Sequence, residues 1–132
     1  MRRFGLIGRP LGHSASAAYF TEKFNREGIT DCEYSLYELG SIGDLPGLLE
    51  RLPELCGLNV TIPYKKTVMA YLDEISPEAA AIGSVNTIVN RGGNLTGYNN
   101  DAFGFSWLLQ KSGVEAADKK ALVFGSGGAS VT

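Results

Sequence analysis

The sequence predicts an α/β domain built on an open, mainly parallel sheet with helices on both faces. Three observations carry that expectation. Short apolar runs alternate along the chain with segments of helical periodicity, the pattern of successive strand and helix units. With 44% hydrophobic and 20% charged residues in 132, the chain can build a core of ordinary size. Glycine is over-represented, 17 residues of 132 against a usual share of roughly 7%, so many tight turns or close backbone approaches are expected.

Phe4–Gly8 is a short apolar run ending in the turn Gly8-Arg9-Pro10-Leu11-Gly12, and reads as the first strand. A helix follows over residues 16–27. Ala17, Phe20 and Phe24 recur at helical spacing, Glu22, Lys23, Arg26 and Glu27 fill the polar side, and Gly28 is the stop. Glu33–Leu39 reads as a second strand. Leu45, Leu48, Leu49 and Leu52 predict a helix over Asp44–Leu52, capped by Asp44 and closed by Pro53. Gly57–Ile62 alternates, with Leu58, Val60 and Ile62 on one side and Asn59 and Thr61 on the other. Pro63 suits a first helical turn, and Tyr64, Val68, Tyr71 and Leu72 give a helical face over residues 64–73. Ser76-Pro77 opens another short helix that Gly83 ends. Val85–Asn90 and Leu95–Tyr98, joined by Arg91-Gly92-Gly93-Asn94, read as a hairpin. Asp101 caps a helix whose Phe105, Leu108 and Leu109 face a core, ending at Gly113. Ala121–Phe124 is an unbroken apolar run, expected to be a strand covered on both faces.

The balance of 12 basic and 14 acidic side chains, a formal net charge of −2 with no Lys/Arg block, lacks the electrostatic footprint of a nucleic-acid binder. Cys32 and Cys56 are far apart without CxxC spacing, and only His13 is left to join them, too few ligands for zinc. The apolar stretch after Arg2-Arg3 ends at Arg9, short of a secretory signal, and no run reaches membrane length. The expectation is a metal-free soluble protein of a reducing compartment, most simply the cytoplasm, whose partner is a small molecule.

Several polar residues fall where open α/β sheets bind ligands, at strand ends and helix starts. Asn59 and Thr61, two apart on an extended segment, project from one side of the sheet, as a solvated strand face or as a binding pair. Lys65 lies in the expected first turn of a helix, where the helix end disfavours a cation, and such local violations concentrate at functional sites. Lys66 beside it reads as an ordinary surface lysine. Ser14 and Ser16 flank the start of the first helix, where they either cap it or hold an anion with the free helix N–H groups. Asn86, Asn99, Asn100 and Asp101 are turn and cap residues taken singly. Together these amides, hydroxyls, one lysine and one carboxylate suit a small, hydroxylated substrate. His13 is expected to support its turn. Gly125-Ser126-Gly127-Gly128-Ala129 follows an apolar run and is either a plain corner or a phosphate-holding turn.

Five blocks, Gly8-Arg9-Pro10-Leu11-Gly12-His13-Ser14-Ala15-Ser16, Asn59-Val60-Thr61-Ile62-Pro63-Tyr64-Lys65, Ile82-Gly83-Ser84-Val85-Asn86-Thr87, Gly97-Tyr98-Asn99-Asn100-Asp101 and Gly125-Ser126-Gly127-Gly128-Ala129, together resemble the shikimate dehydrogenases in order and spacing. The resemblance spans nearly the whole chain. It implies an NADP-linked interconversion of 3-dehydroshikimate and shikimate in aromatic amino-acid biosynthesis. It further implies that Ser14 and Ser16 hold the substrate carboxylate, and that Asn59, Thr61, Asn86 and Asp101 bind ring hydroxyls. Lys65, paired with Asp101, would exchange a proton with the reacting oxygen, and Gly125, Gly127, Gly128 and Ala129 would bind the cofactor.

Three positions depart from the family pattern. Ala17 stands where proline usually follows the second serine, Asn100 where threonine precedes the aspartate, and Ser126 where alanine is common. Asn100 bears on substrate preference and keeps a quinate-directed enzyme as an alternative. The expected organisation is a substrate-binding domain over residues 1–101, then residues 102–132 as a connecting helix, first strand and glycine-rich turn of a truncated Rossmann domain. Such a piece would not turn over alone. The alternative from another class is a freestanding binding or regulatory module for a shikimate-like acid.

Overall fold

A computed structural model describes residues 1–132. In chain order the elements are β1 (Arg2–Gly8), α1 (Ser16–Arg26), β2 (Cys32–Glu38), α2 (Leu45–Arg51), β3 (Leu55–Val60), β4 (Glu74–Ile75), α3 (Pro77–Ile82), β5 (Thr87–Arg91), β6 (Asn94–Tyr98) and α4 (Asp101–Ser112). Short 3-10 turns occupy Ile42–Asp44 and Thr67–Tyr71. All six strands join one sheet in the order β2-β1-β3-β5-β6-β4. The pairs β1–β2, β1–β3 and β4–β6 are parallel, and β5 runs against both of its neighbours. The α/β sheet is therefore open and mixed, with three of its five strand pairings parallel. Its hairpin turn explains part of this: Gly92 and Gly93, at φ 62° and 99°, form a two-residue loop that can join only antiparallel strands.

The pleat of the strands sorts side chains into two layers. On one face Phe4 and Leu6 of β1 and Tyr34 and Leu36 of β2 meet Ala17, Phe20 and Phe24 of α1. On the other, Ile7, Leu58, Val60, Ile88 and Leu95 meet Leu45 and Leu48 of α2, Val68 and Ala79. This second layer is the main core, with Ile7 and Val68 wholly buried. Helices thus cover both faces, but α1 packs over β1 and β2 alone. Beyond it an open groove of about 660 Å³ runs past Gly57, Asn59, Thr87 and Val89.

Several expectations shift in detail, each for a local reason. The cap before α2 is Ser41, whose Oγ accepts from the Gly43 N–H, while the Asp44 carboxylate accepts from the Ser41 N–H in return. Residues 64–73 form no α-helix, only the 3-10 turn. The Lys65 carbonyl accepts from the Val85 N–H at 2.8 Å, which ties it to the strand region instead of to the next helical turn. Ser76 and Gly83 bound α3 as expected: Ser76 Oγ accepts from Ala79 N–H, and Gly83 sits at φ 75°.

The largest departures lie after Tyr98. No residue of α4 is buried, and Phe105 and Leu108 face solvent rather than a core. Ala121–Phe124 forms no strand, and Phe124 is 88% exposed. An apolar run becomes a strand where a neighbour supplies both a hydrogen-bond ladder and cover. No strand of this sheet pairs with it.

Candidate active site

The site forms where β1 and β3 end. Thr61 N–H donates to the Ile7 carbonyl at 2.9 Å, carrying the chain out of β3 in contact with β1. Tyr64 then buries its ring, and its hydroxyl donates to the Leu39 carbonyl at 2.6 Å. With the Val85 bond to its own carbonyl, Lys65 is held on both sides. Its backbone position is thereby fixed.

Lys65 Nζ meets Asp101 Oδ2 at 2.5 Å across 36 positions of sequence. The lysine side chain is 13% exposed and the aspartate 38%. Asp101, expected to cap α4, does not do so. Asn99 caps the helix instead, because its Oδ1 accepts from the Asp101 and Ala102 N–H groups at 2.9 and 3.3 Å, while its Nδ2 donates to the Ser84 carbonyl at 3.0 Å. A capping side chain ahead of it leaves the Asp101 carboxylate free for the ammonium. The positive end of α4 stabilises that carboxylate further. Lys65 is therefore unusual for its carboxylate partner and not for a helix start of its own, since the helix start lies at Asp101.

Asn86 is clipped through its backbone, accepting from Val60 N–H at 2.8 Å and donating to the Tyr98 carbonyl at 3.0 Å. Its Oδ1 accepts from Thr87 Oγ1 at 2.9 Å and from Asn100 N–H at 3.0 Å. Asn100 donates its Nδ2 to Thr87 Oγ1 at 3.1 Å, so its side chain braces Thr87 instead of approaching Asp101. On the groove side, Asn59 Oδ1 accepts from the Tyr34 hydroxyl at 2.8 Å. Burial pushes the Tyr34 phenol up to about 12, with the Ser16 hydroxyl beside it acting in the opposite sense. Ser14 Oγ accepts from the Ser16 N–H at 3.3 Å, and Thr61 is half-buried with its methyl against Gly8.

The structure thus brings Lys65 and Asp101 into contact and ties Asn59 to Tyr34, while Ser14 and Ser16 bond to each other at the start of α1. The large groove reaches this region only at Asn59 and Thr87, and neither Lys65 nor Asp101 lines it. Tyr34 and Thr87 are contributors that the sequence reading does not single out for the site. Their signal is register: Phe4 pairs with Tyr34 and with Gly57, and Asn59 with Thr87, which sets all of these side chains on the α1 face. His13 is exposed and makes no hydrogen bond. The turn it was expected to support is held by Glu38, whose carboxylate accepts from Leu11 N–H at 2.8 Å.

The glycine-rich segment lies beside the pair. Gly128 packs so closely on the Lys65 side chain and on Ser84 Oγ that a Cβ there would collide with Lys65. Ser84 Oγ, fully buried, has no hydrogen-bond partner. Lys66 Nζ donates to the Ser126 carbonyl at 2.8 Å and stays exposed. Against a dinucleotide, the segment alone does not fit. Phosphate binding needs several N–H groups converging at a helix start, whereas residues 129–132 make a single turn and no paired strand precedes them.

Residues 6–88 match the family model described as the shikimate dehydrogenase substrate binding domain. The chain belongs to the shikimate dehydrogenase family. Among curated relatives, the shikimate dehydrogenase (NADP(+)) of Symbiobacterium thermophilum is 45% identical over 134 residues, covering 97% of this chain and 44% of that protein. The enzyme of the same name from Pyrococcus abyssi is 40% identical, covering 98% of this chain and 48% of its own length. The chain therefore spans less than half the length of these relatives. Among solved structures, shikimate dehydrogenase 1 from Peptoclostridium difficile superposes with a TM-score of 0.90 at 41% identity, over 99% of this chain and 48% of that one. The Thermus thermophilus shikimate 5-dehydrogenase, solved in complex with shikimate, gives 0.84 at 37% identity over 99% of this chain and 50% of its own. The mixed α/β sheet is thus the family's fold.

Proposed function

We propose that residues 1–101 are the substrate-binding and proton-transfer part of an NADP-dependent dehydrogenase that interconverts 3-dehydroshikimate and shikimate. The observation that carries this reading is the Lys65–Asp101 contact at 2.5 Å. An ammonium with one carboxylate partner, at the end of a sheet rimmed by amides and hydroxyls, is equipped to move a proton to or from a bound oxygen. Lys65 Nζ would give its proton to the carbonyl oxygen of 3-dehydroshikimate, the hydride for that carbon being what a bound NADPH would supply, and would take the proton back in the reverse direction. Asp101 fixes where Nζ sits and contacts a ring hydroxyl. Ser14 and Ser16, at the start of α1, hold the carboxylate, and Asn59, Thr61 and Asn86 hold ring oxygens.

The cofactor belongs to the same proposal. Relatives are named NADP(+)-dependent, and a Thermus thermophilus structure contains NADP(H) and shikimate together. The resemblance gives Gly125, Gly127, Gly128 and Ala129 to the cofactor's phosphates, but in this chain the segment packs on Lys65 and does not by itself form such a site. A cytoplasmic location fits such an enzyme, and no helix is long and apolar enough to cross a membrane. Substrate assays on the full-length gene product test the reading. Shikimate should be oxidised with NADP(+) faster than quinate is, and the 132-residue chain alone should not turn over. Failure of the full-length product to oxidise shikimate with either nicotinamide would overturn it.

A further inference from the structure

We propose that Tyr34 is a positioning residue whose hydroxyl fixes the sense of the Asn59 amide, so that Asn59 offers its Nδ2 hydrogens to a substrate oxygen. The inference rests on the reading above, in which Asn59 contacts the substrate. Tyr34 lies on β2 and Asn59 on β3, with β1 between them, so the contact is made across a strand. The phenol ring is clamped: Phe20 of α1 stacks on it with centroids 4.3 Å apart and planes 18° from parallel. The residue is buried, and its hydroxyl donates to Asn59 Oδ1 at 2.8 Å.

A phenol O–H carries one donor, and a carboxamide carries one acceptor oxygen and two donor hydrogens on opposite sides. With Oδ1 engaged by Tyr34, Asn59 Nδ2 has no partner within the chain and lies on the wall of the open groove. An asparagine so placed can donate to a ligand and cannot accept from it. The Asn86 amide, at the end of the same sheet, is set in the same sense by different residues. Asn86 Oδ1 is taken by Thr87 and by the Asn100 N–H. The two asparagines therefore present matching donors, which suits a ligand with several hydroxyl lone pairs.

Tyr34→Phe keeps the ring against Phe20 and removes only the hydroxyl. In the full-length gene product it should raise KM for shikimate roughly 3- to 10-fold, the scale of one neutral hydrogen bond. It should leave kcat within about 2-fold and KM for NADP(+) unchanged, because the proton donor is untouched. If Tyr34 acts through Asn59, adding Tyr34→Phe to Asn59→Ala changes KM by less than about 1.5-fold. An unchanged KM in Tyr34→Phe, or an effect that multiplies in the Asn59→Ala background, overturns the role of Tyr34 alone. An unchanged KM in Asn59→Ala itself overturns the substrate contact and this inference with it. A measurement without any substitution reads the same point: in ¹H–¹⁵N spectra of the wild type, the Asn59 side-chain NH₂ signals should shift on adding shikimate, and their failure to move would contradict it.

Discussion

Residues 1–101 and residues 102–132 are of similar chemical make-up and behave differently. In the first region each loop that carries a polar site residue is anchored to a strand by named hydrogen bonds, and Ile7, Val68 and Val85 are wholly buried beneath it. In the second region α4 buries nothing, and Phe103, Trp107 and Phe124 are each more than half exposed. Its ties to the rest are few, among them Lys66 to Ser126, Asn99 to Thr132 and the packing of Gly128 on Lys65. Apolar composition alone does not make a core. Side chains stabilise a fold when a facing layer removes them from water, and in this chain only the first region has such layers.

The strongest way to break this comparison is a pair of truncations of side chains. Ile7→Ala should destabilise the chain by about 2–5 kcal/mol through lost burial and a residual cavity. Phe105→Ala, in exposed α4, should stay within about 0.5 kcal/mol. Urea unfolding of the two variants checks this, and equal losses would erase the distinction. The next effect concerns the cap. Asn99→Ala should cost about 1 kcal/mol, as caps do, and it should lower kcat of the full-length product more than it raises KM, because Asp101 loses its fixed helix start. A kcat equal to wild type would show that Asp101 holds its place without Asn99.

The smallest expected effect is on the exposed Arg2–Asp31 pair, 3.1 Å apart. The hydrogen bond from Arg2 holds the Asp31 carboxyl below its ordinary range. Its contribution is therefore present above the usual carboxylate pKa and is lost as pH falls through the depressed value. Asp31→Asn should slightly flatten the acid limb of Tm against pH and leave Tm at neutral pH nearly unchanged. A large loss at neutral pH would mean that the pair is worth more than surface pairs usually are.

Much of the first region was legible in the sequence because its signals are local. Alternation placed Asn59 and Thr61 opposite Leu58 and Val60, a serine and a glycine bounded α3, and the glycine pair turned the hairpin. The parts that escaped depend on partners distant in the chain. Lys65 looked unusual for a helix start that does not exist, and its actual setting is a carboxylate 36 positions away. The cap moved from Asp101 to Asn99 because neighbouring polar residues compete for the same N–H groups and local pattern does not rank them. Tyr34 reads as one more aromatic in a strand until the register sets it across β1 from Asn59. The two-residue strand β4 and the failure of residues 121–124 to pair are set by neighbours and carry no local signal of their own.

The central claim is that Lys65 and Asp101 act as one proton-transferring unit. Measured on the full-length gene product, kcat for shikimate oxidation should fall roughly 10²- to 10⁴-fold in Lys65→Ala. Adding Asp101→Ala to that variant should lower kcat by no more than about 3-fold, because partners in a unit are not additive. Near-wild-type turnover without the lysine, or two losses that simply multiply, would contradict the account.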